Sequence, residues 1–234
     1  MTPVHAGVHI RENLSILARS EKRALIWIAE RLPASVNSDH LSALGLAAMA
    51  GAGLSFAAFP VAPWAAAAGV VAFLALNWFG DSLDGTVARV RQQQRPRYGF
   101  YVDHIIDVAG SALLFGGMAC SQLMSPVVAL ALLAAYLLVS AESYLATHAA
   151  GTFRMSFLGF GPTELRIVLA VGALRAAISP WATLGDARVL LYDVGGIVAC
   201  SGMLVAFVVA SIRNTRALSM SDPRPEGGGL SRVA

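Results

Sequence analysis

Six apolar runs, near residues 42–60, 64–83, 101–123, 126–147, 163–182 and 189–212, take up most of this chain. Each approaches the roughly 20 residues that a membrane-crossing helix needs. A helix also satisfies its own backbone hydrogen bonds, which lipid cannot do. Pro60, Pro63, Pro126, Pro162 and Pro180 punctuate the runs. Composition agrees, since 56% of residues are hydrophobic and only 13% are charged, far from a soluble average. The expected fold class is an all-α polytopic membrane protein with about six transmembrane helices, preceded by an amphipathic interfacial helix.

That first helix is read from Ile10, Leu14, Leu17, Leu25, Ile28 and Leu32, which recur at helical spacings. Arg11, Arg19, Lys22, Arg23 and Arg31 lie off the stripe and Trp27 near its end, a pattern suited to the membrane interface or to packing on the protein's own polar side. Residues 9–32 carry charge throughout and do not read as a cleavable signal. The expected division is an interfacial region over 1–40, a six-helix membrane domain over 41–213 and a disordered tail over 214–234, which is rich in Pro, Gly and Ser. Cys120 and Cys200 both fall inside apolar runs, so a disulfide framework is not expected.

The basic residues report topology. Five precede the first run, Arg89, Arg91, Arg95 and Arg97 surround the second turn, Arg154 lies before the fifth run, and Arg213 and Arg216 follow the last. None separates the first run from the second or the third from the fourth. The positive-inside rule places both termini, the Arg89–Arg97 turn and the Arg154 turn in the cytosol, as expected for a protein of the cell (inner) membrane. With its positive charge scattered in this way the chain presents no basic face for nucleic acid.

Against this background four aspartates need a physical reason, because carboxylates are expensive at membrane depth. Asp81 and Asp84 are three apart at the end of the second run, and Asp103 and Asp107 four apart at the start of the third, so each pair shares a helix face. With a turn over 90–98 the pairs match in depth, the nearer members roughly 8 Å of helix from the turn. Four like charges in a low dielectric require compensation, which divalent cations supply. All-oxygen ligation favours Mg²⁺, Mn²⁺ or Ca²⁺ over zinc. His104 points off the Asp103 face and reads as structural. Gly85, Ala88 and Gly99 leave room for a ligand, and Arg89, one turn beyond the paired carboxylates, is suited to gripping phosphate.

Written out, Asp81-x-x-Asp84-Gly85-x-x-Ala88-Arg89, nine residues, then Gly99-x-x-x-Asp103-x-x-x-Asp107 resembles the signature of the CDP-alcohol phosphatidyltransferase family, class I and membrane-embedded. The connecting stretch is one residue longer than is usual there, the extra residue falling within VRQQQRPRY. The resemblance implies transfer of a phosphoalcohol group from a CDP-linked lipid, CDP-diacylglycerol or a relative, to a small hydroxyl acceptor with release of CMP. It implies a two-metal site of Mg²⁺ or Mn²⁺ held by Asp81, Asp84 and Asp103, with Asp107 a further ligand or the general base. It further implies a nucleotide site at Asp84, Gly85, Ala88, Arg89 and Gly99.

Acceptor recognition is expected near the cytosolic ends of the later helices, where Glu142, His148, Arg154, Glu164 and Arg166 are the available polar groups. Of these Arg154, Glu164 and Arg166 are the candidates, although Glu164 and Arg166 also suit a helix cap and a snorkelling charge. Inositol phosphate, glycerol phosphate, serine and amino alcohols all remain open as acceptors. Two rival readings are an intramembrane prenyltransferase, for which Asn77 ahead of Asp81 makes the comparison fair, and a divalent-cation transporter using the aspartates as a path. The first lacks the Gly85, Ala88 and Arg89 pattern, and the second would need acidic residues in the other halves of these helices. Homodimerisation resembles the family's habit, and Gly110, Gly116 and Gly117 offer a small-residue face for it.

Overall fold

The computed structural model describes residues 16–150 and 162–223. Seven helices and one hairpin follow in order: α1 Ile16–Arg31, α2 Ser38–Ala57, α3 Pro63–Val90, α4 Pro96–Cys120, α5 Pro126–Ala150, α6 Pro162–Ile178, β1 Trp181–Leu184, β2 Ala187–Leu190 and α7 Leu191–Ser221. Pro63, Pro96, Pro126 and Pro162 each open a helix, where a missing N–H goes unnoticed and the fixed φ is already helical. α2, α3, α4, α5 and α7 are long and apolar enough to cross a membrane. α6, with 17 residues, is shorter. Around the perimeter, Val127, Leu130, Ile167, Val171, Val198 and Val205 are exposed, as befits helices solvated by lipid. The protein is an integral membrane protein.

α2 stands at the centre of the half that carries the aspartates. It packs against both α3 and α4, which barely touch one another. Glycine makes this possible on each side. A Cβ on Gly117 of α4 would lie 2.0 Å from the Gly53 carbonyl oxygen of α2, and one on Gly80 of α3 would lie 2.7 Å from the Leu41 carbonyl oxygen. Backbones this close leave no space for a side chain, the mode of packing that small residues permit in membranes. Gly110 likewise faces Met49 of α2, whereas Gly116 meets nothing. The small-residue face expected to support a dimer is therefore largely used inside the protomer.

Away from the aspartates, Phe56, Val70, Leu74, Leu114, Met118, Met124, Ala129, Ala173 and Tyr192 form the main core. The Tyr192 ring meets Phe56 edge-on at 5.6 Å, and its hydroxyl donates to the Leu169 carbonyl at 2.8 Å. This ties α7 to α2 and α6. The hairpin pairs Trp181 with Leu190 and Leu184 with Ala187, turning at Gly185 with φ +61. It replaces the ends of the two apolar runs expected there as helix.

α1 lays Leu25 and Ala29 against Leu41, Leu83 and Val87, with Ile28 and Leu32 beside them. The described part of its apolar stripe thus faces the protein; Ile10 and Leu14 lie outside the described residues. Trp27 stays 57% exposed, with the Arg31 guanidinium 4.1 Å from its ring centre. Beyond α1, Arg91 donates to the carbonyls of Leu32 at 2.9 Å, Pro33 at 3.1 Å and Val36 at 2.5 Å, tying the α1–α2 connection to the end of α3. At the other end of the chain α7 carries on to Ser221, past the residue 213 boundary expected for the membrane domain and into the segment read as a disordered tail.

The glycine contacts give a controlled test. Gly117→Ala should destabilise the protein by about 2 kcal/mol or more, because backbone must move. Gly116→Ala, next to it and facing open space, should be neutral or slightly stabilising. Thermal unfolding of both variants in detergent reads the difference.

Candidate active site

α3 ends because its last turn closes on itself. Gln92 adopts φ 54, its N–H donates to the Arg89 carbonyl at 3.1 Å, and that of Gln93 donates to the Ala88 carbonyl at 2.9 Å. This is a Schellman termination with glutamine where glycine is usual. Pro96 then starts α4. The turn proper is shorter than the 90–98 expected from sequence, so Gly99 lies within the first turn of α4. Asp84 and Asp103 are about 10 Å of helix from the turn, and Asp81 and Asp107 about 15 Å.

All four carboxylates open onto one small cavity of about 20 Å³, lined also by Ser42, Gly45, Asn77 and Ile106. Because α3 and α4 are held apart, α2 supplies its floor through Ser42 and Gly45. Asp84 is buried. Its Oδ2 accepts from Ser42 Oγ at 2.7 Å and its Oδ1 from the Gly85 N–H at 2.5 Å. Asp81 Oδ2 accepts from Arg166 Nη2 at 2.6 Å. Arg166 Nε in turn donates to Asn77 Oδ1 at 2.8 Å, while Asn77 Nδ2 donates to the Gly45 carbonyl at 3.0 Å. Asp107 is half-buried, and Asp103 is more exposed.

The oxygen-only lining suits a hard divalent cation. Two of its carboxylates are already paired, however, and among the described residues no three His, Cys, Asp or Glu side chains converge closely enough to hold a metal ion. Asp81 is turned toward Arg166 and Asp84 toward Ser42. By the chemistry of its donors the set suits such a cation, and Asp81, Asp84, Asp103 and Asp107 are the residues that would hold it.

The other signature residues lie outside this cavity's lining, toward the turn. Arg89 folds along its own helix, donating from Nη2 to Thr86 Oγ1 at 3.1 Å and passing over Gly85, whose Cβ position is 3.4 Å from Nη1. Ala88 lines a second, larger cavity of about 410 Å³ with Asn37, Ser38, Asp39, Gln93, Gln94 and Arg95. Arg95 is ion-paired there with Asp39. A Cβ at Gly99 would meet nothing within 4 Å.

Of the acceptor candidates, Arg154 lies outside the described residues, and Glu164 is exposed in the first turn of α6. Arg166 reaches the aspartates, donating to Asp81. Glu142 accepts from Asn214 Nδ2 of α7 at 2.6 Å. His104, read from sequence as structural, packs between aromatic rings, its ring 4.0 Å from that of Phe100 at a tilt of 36° and edge-on to Tyr144 at 4.4 Å.

The sequence profile of CDP-alcohol phosphatidyltransferases matches residues 40–213. The chain belongs to the CDP-alcohol phosphatidyltransferase family. In fold it is similar to the phosphatidylinositol phosphate synthase of Mycobacterium tuberculosis, solved with CDP-DAG bound. The TM-score is 0.56 and the identity 21%, over 91% of this chain and 99% of that one. Comparison with curated proteins gave no match.

The sequence singles out the four aspartates but not Ser42 or Gly45, and it brings in Asn77 only for the comparison with prenyltransferases. Ser42→Ala removes a hydrogen bond to a buried carboxylate, an interaction on the order of 2 kcal/mol when one partner is charged. The variant should lose about tenfold in turnover, measured as CMP release, and should also unfold at lower temperature.

Proposed function

We propose that the chain transfers a phosphatidyl group from CDP-diacylglycerol to the hydroxyl of a small alcohol and releases CMP, as a step of phospholipid biosynthesis. The observation that carries this reading is the convergence of Asp81, Asp84, Asp103 and Asp107, from two helices, on one cavity. Family membership supports the reaction class. A lipid-anchored donor suits a site cut into the side of apolar helices, since the acyl chains can stay in the bilayer while the CDP head enters. The basic turn at Arg89–Arg97 supports a cytosolic position for that end of the bundle.

Asp81, Asp84 and Asp103 would hold the divalent cations, Mg²⁺ or Mn²⁺. When bound, such cations neutralise charge on the diphosphate oxygens and on the departing CMP. Asp107 would take the proton from the acceptor hydroxyl as its oxygen attacks the lipid-bearing phosphorus; the new P–O bond forms as the bond to the CMP oxygen breaks. Arg89, exposed on the last turn of α3, would grip donor phosphate in the fork geometry of its guanidinium. Gly85 and Ala88 would keep the surface beside it low enough for the nucleotide, and Gly99, with open space around it, would admit close approach from the α4 side.

The reading is tested with purified full-length protein and CDP-diacylglycerol, with Mn²⁺ or Mg²⁺ and a panel of inositol phosphate, glycerol phosphate, serine and an amino alcohol. One acceptor should give CMP release that a chelator abolishes. Asp81→Asn and Asp107→Asn should each reduce it by about a hundredfold or more. Near-normal turnover in Asp107→Asn beside an inactive Asp81→Asn would remove the base role from Asp107. Prenyl transfer or ion flux, with no CMP release from any acceptor, would overturn the reading as a whole.

A further inference from the structure

The sequence offers Arg166 as an acceptor-binding group, but its side chain is committed elsewhere. Its guanidinium contacts Asp81 and Asn77 together, at 2.6 and 2.8 Å. Asn77 is itself only 7% exposed and is fixed by the Gly45 carbonyl. The Arg166 side chain is 16% exposed, although Ile167 and Val168, next to it on α6, are open to the surroundings. A charge placed to snorkel would leave the bundle; this one is aimed inward by a buried amide. It brings a positive charge to Asp81, whose side chain is 47% exposed, in a cavity lined by four carboxylates.

We propose that Arg166 is an internal counter-ion of the carboxylate cavity, holding Asp81 through Nη2 until a divalent cation takes its place. The inference rests on the metal-dependent reading above and gives Arg166 a positioning role. A cation approaching Asp81 meets a competing guanidinium on Oδ2 and a like charge a few ångströms away, so binding includes breaking an ion pair. Arg166 therefore weakens cation binding while keeping the four carboxylates together without it. The Gly45–Asn77–Arg166 chain makes this coupling run across α2, α3 and α6.

Full-length Arg166→Gln and Arg166→Lys are compared with the parent protein in detergent, with Mn²⁺ alone as the probe. Free Mn²⁺ is counted by electron paramagnetic resonance, and unfolding temperature is recorded without metal. Arg166→Gln should melt at lower temperature without metal yet bind Mn²⁺ about fivefold tighter or more, as expected for removal of a nearby competing charge. Arg166→Lys keeps the charge but cannot span Asp81 and Asn77 together, so it should fall between the two. It carries the test alone if the glutamine variant does not fold. Unchanged or weaker Mn²⁺ binding in the variants would overturn the proposal while leaving the metal reading intact. No Mn²⁺ binding by the parent protein would overturn both. A merely structural arginine would lower the unfolding temperature without tightening the metal.

Discussion

Four carboxylates converging within a bundle of apolar helices repel one another, and in a low dielectric that repulsion is not dispersed by water. Much of the polar architecture answers it. Ser42 donates to Asp84, Arg166 to Asp81, and Asn77 holds Arg166 in line. Two helices outside the signature thus join the cavity's surroundings, α2 through Ser42 and Gly45 and α6 through Arg166, together with the earlier part of α3 through Asn77.

The same end of the bundle is braced by its arginines. Arg91 collects the carbonyls left at the end of α1 and in the following turn, and Arg95 pairs with Asp39 at the start of α2. Both come from the turn that joins the two aspartate-bearing helices. α1 adds Leu25 and Ala29 against Leu83 and Val87, the residues flanking Asp84, Gly85 and Thr86. The segment that carries the signature is therefore fixed from outside the membrane core as well as from within it.

Much of this was legible in the sequence. Hydropathy marks the helices because lipid admits few alternatives, and spacings of three and four put each aspartate pair on one face. The family resemblance rested on the same residues, and the profile match agrees with it. Other features left no one-dimensional trace. A short run such as Trp181–Leu184 reads equally as helix end or strand, so the hairpin was missed. Gly110 and Gly117 look alike whether they meet another chain or α2. Ser42 shows its importance only once α2 is seen between α3 and α4, and Arg166 gives no sign in sequence of which way its side chain turns. The glutamine closing α3 is similarly silent, since glycine is the residue that announces such an ending.

The interleaving of α2 has a further meaning. Its glycines set backbone against backbone on both sides, and such contacts have almost no compliance. α2 acts as a fixed spacer that gauges the distance between the two rows of carboxylates. Substitutions elsewhere in the bundle leave that spacing in place so long as the Gly53–Gly117 and Gly80–Leu41 contacts remain.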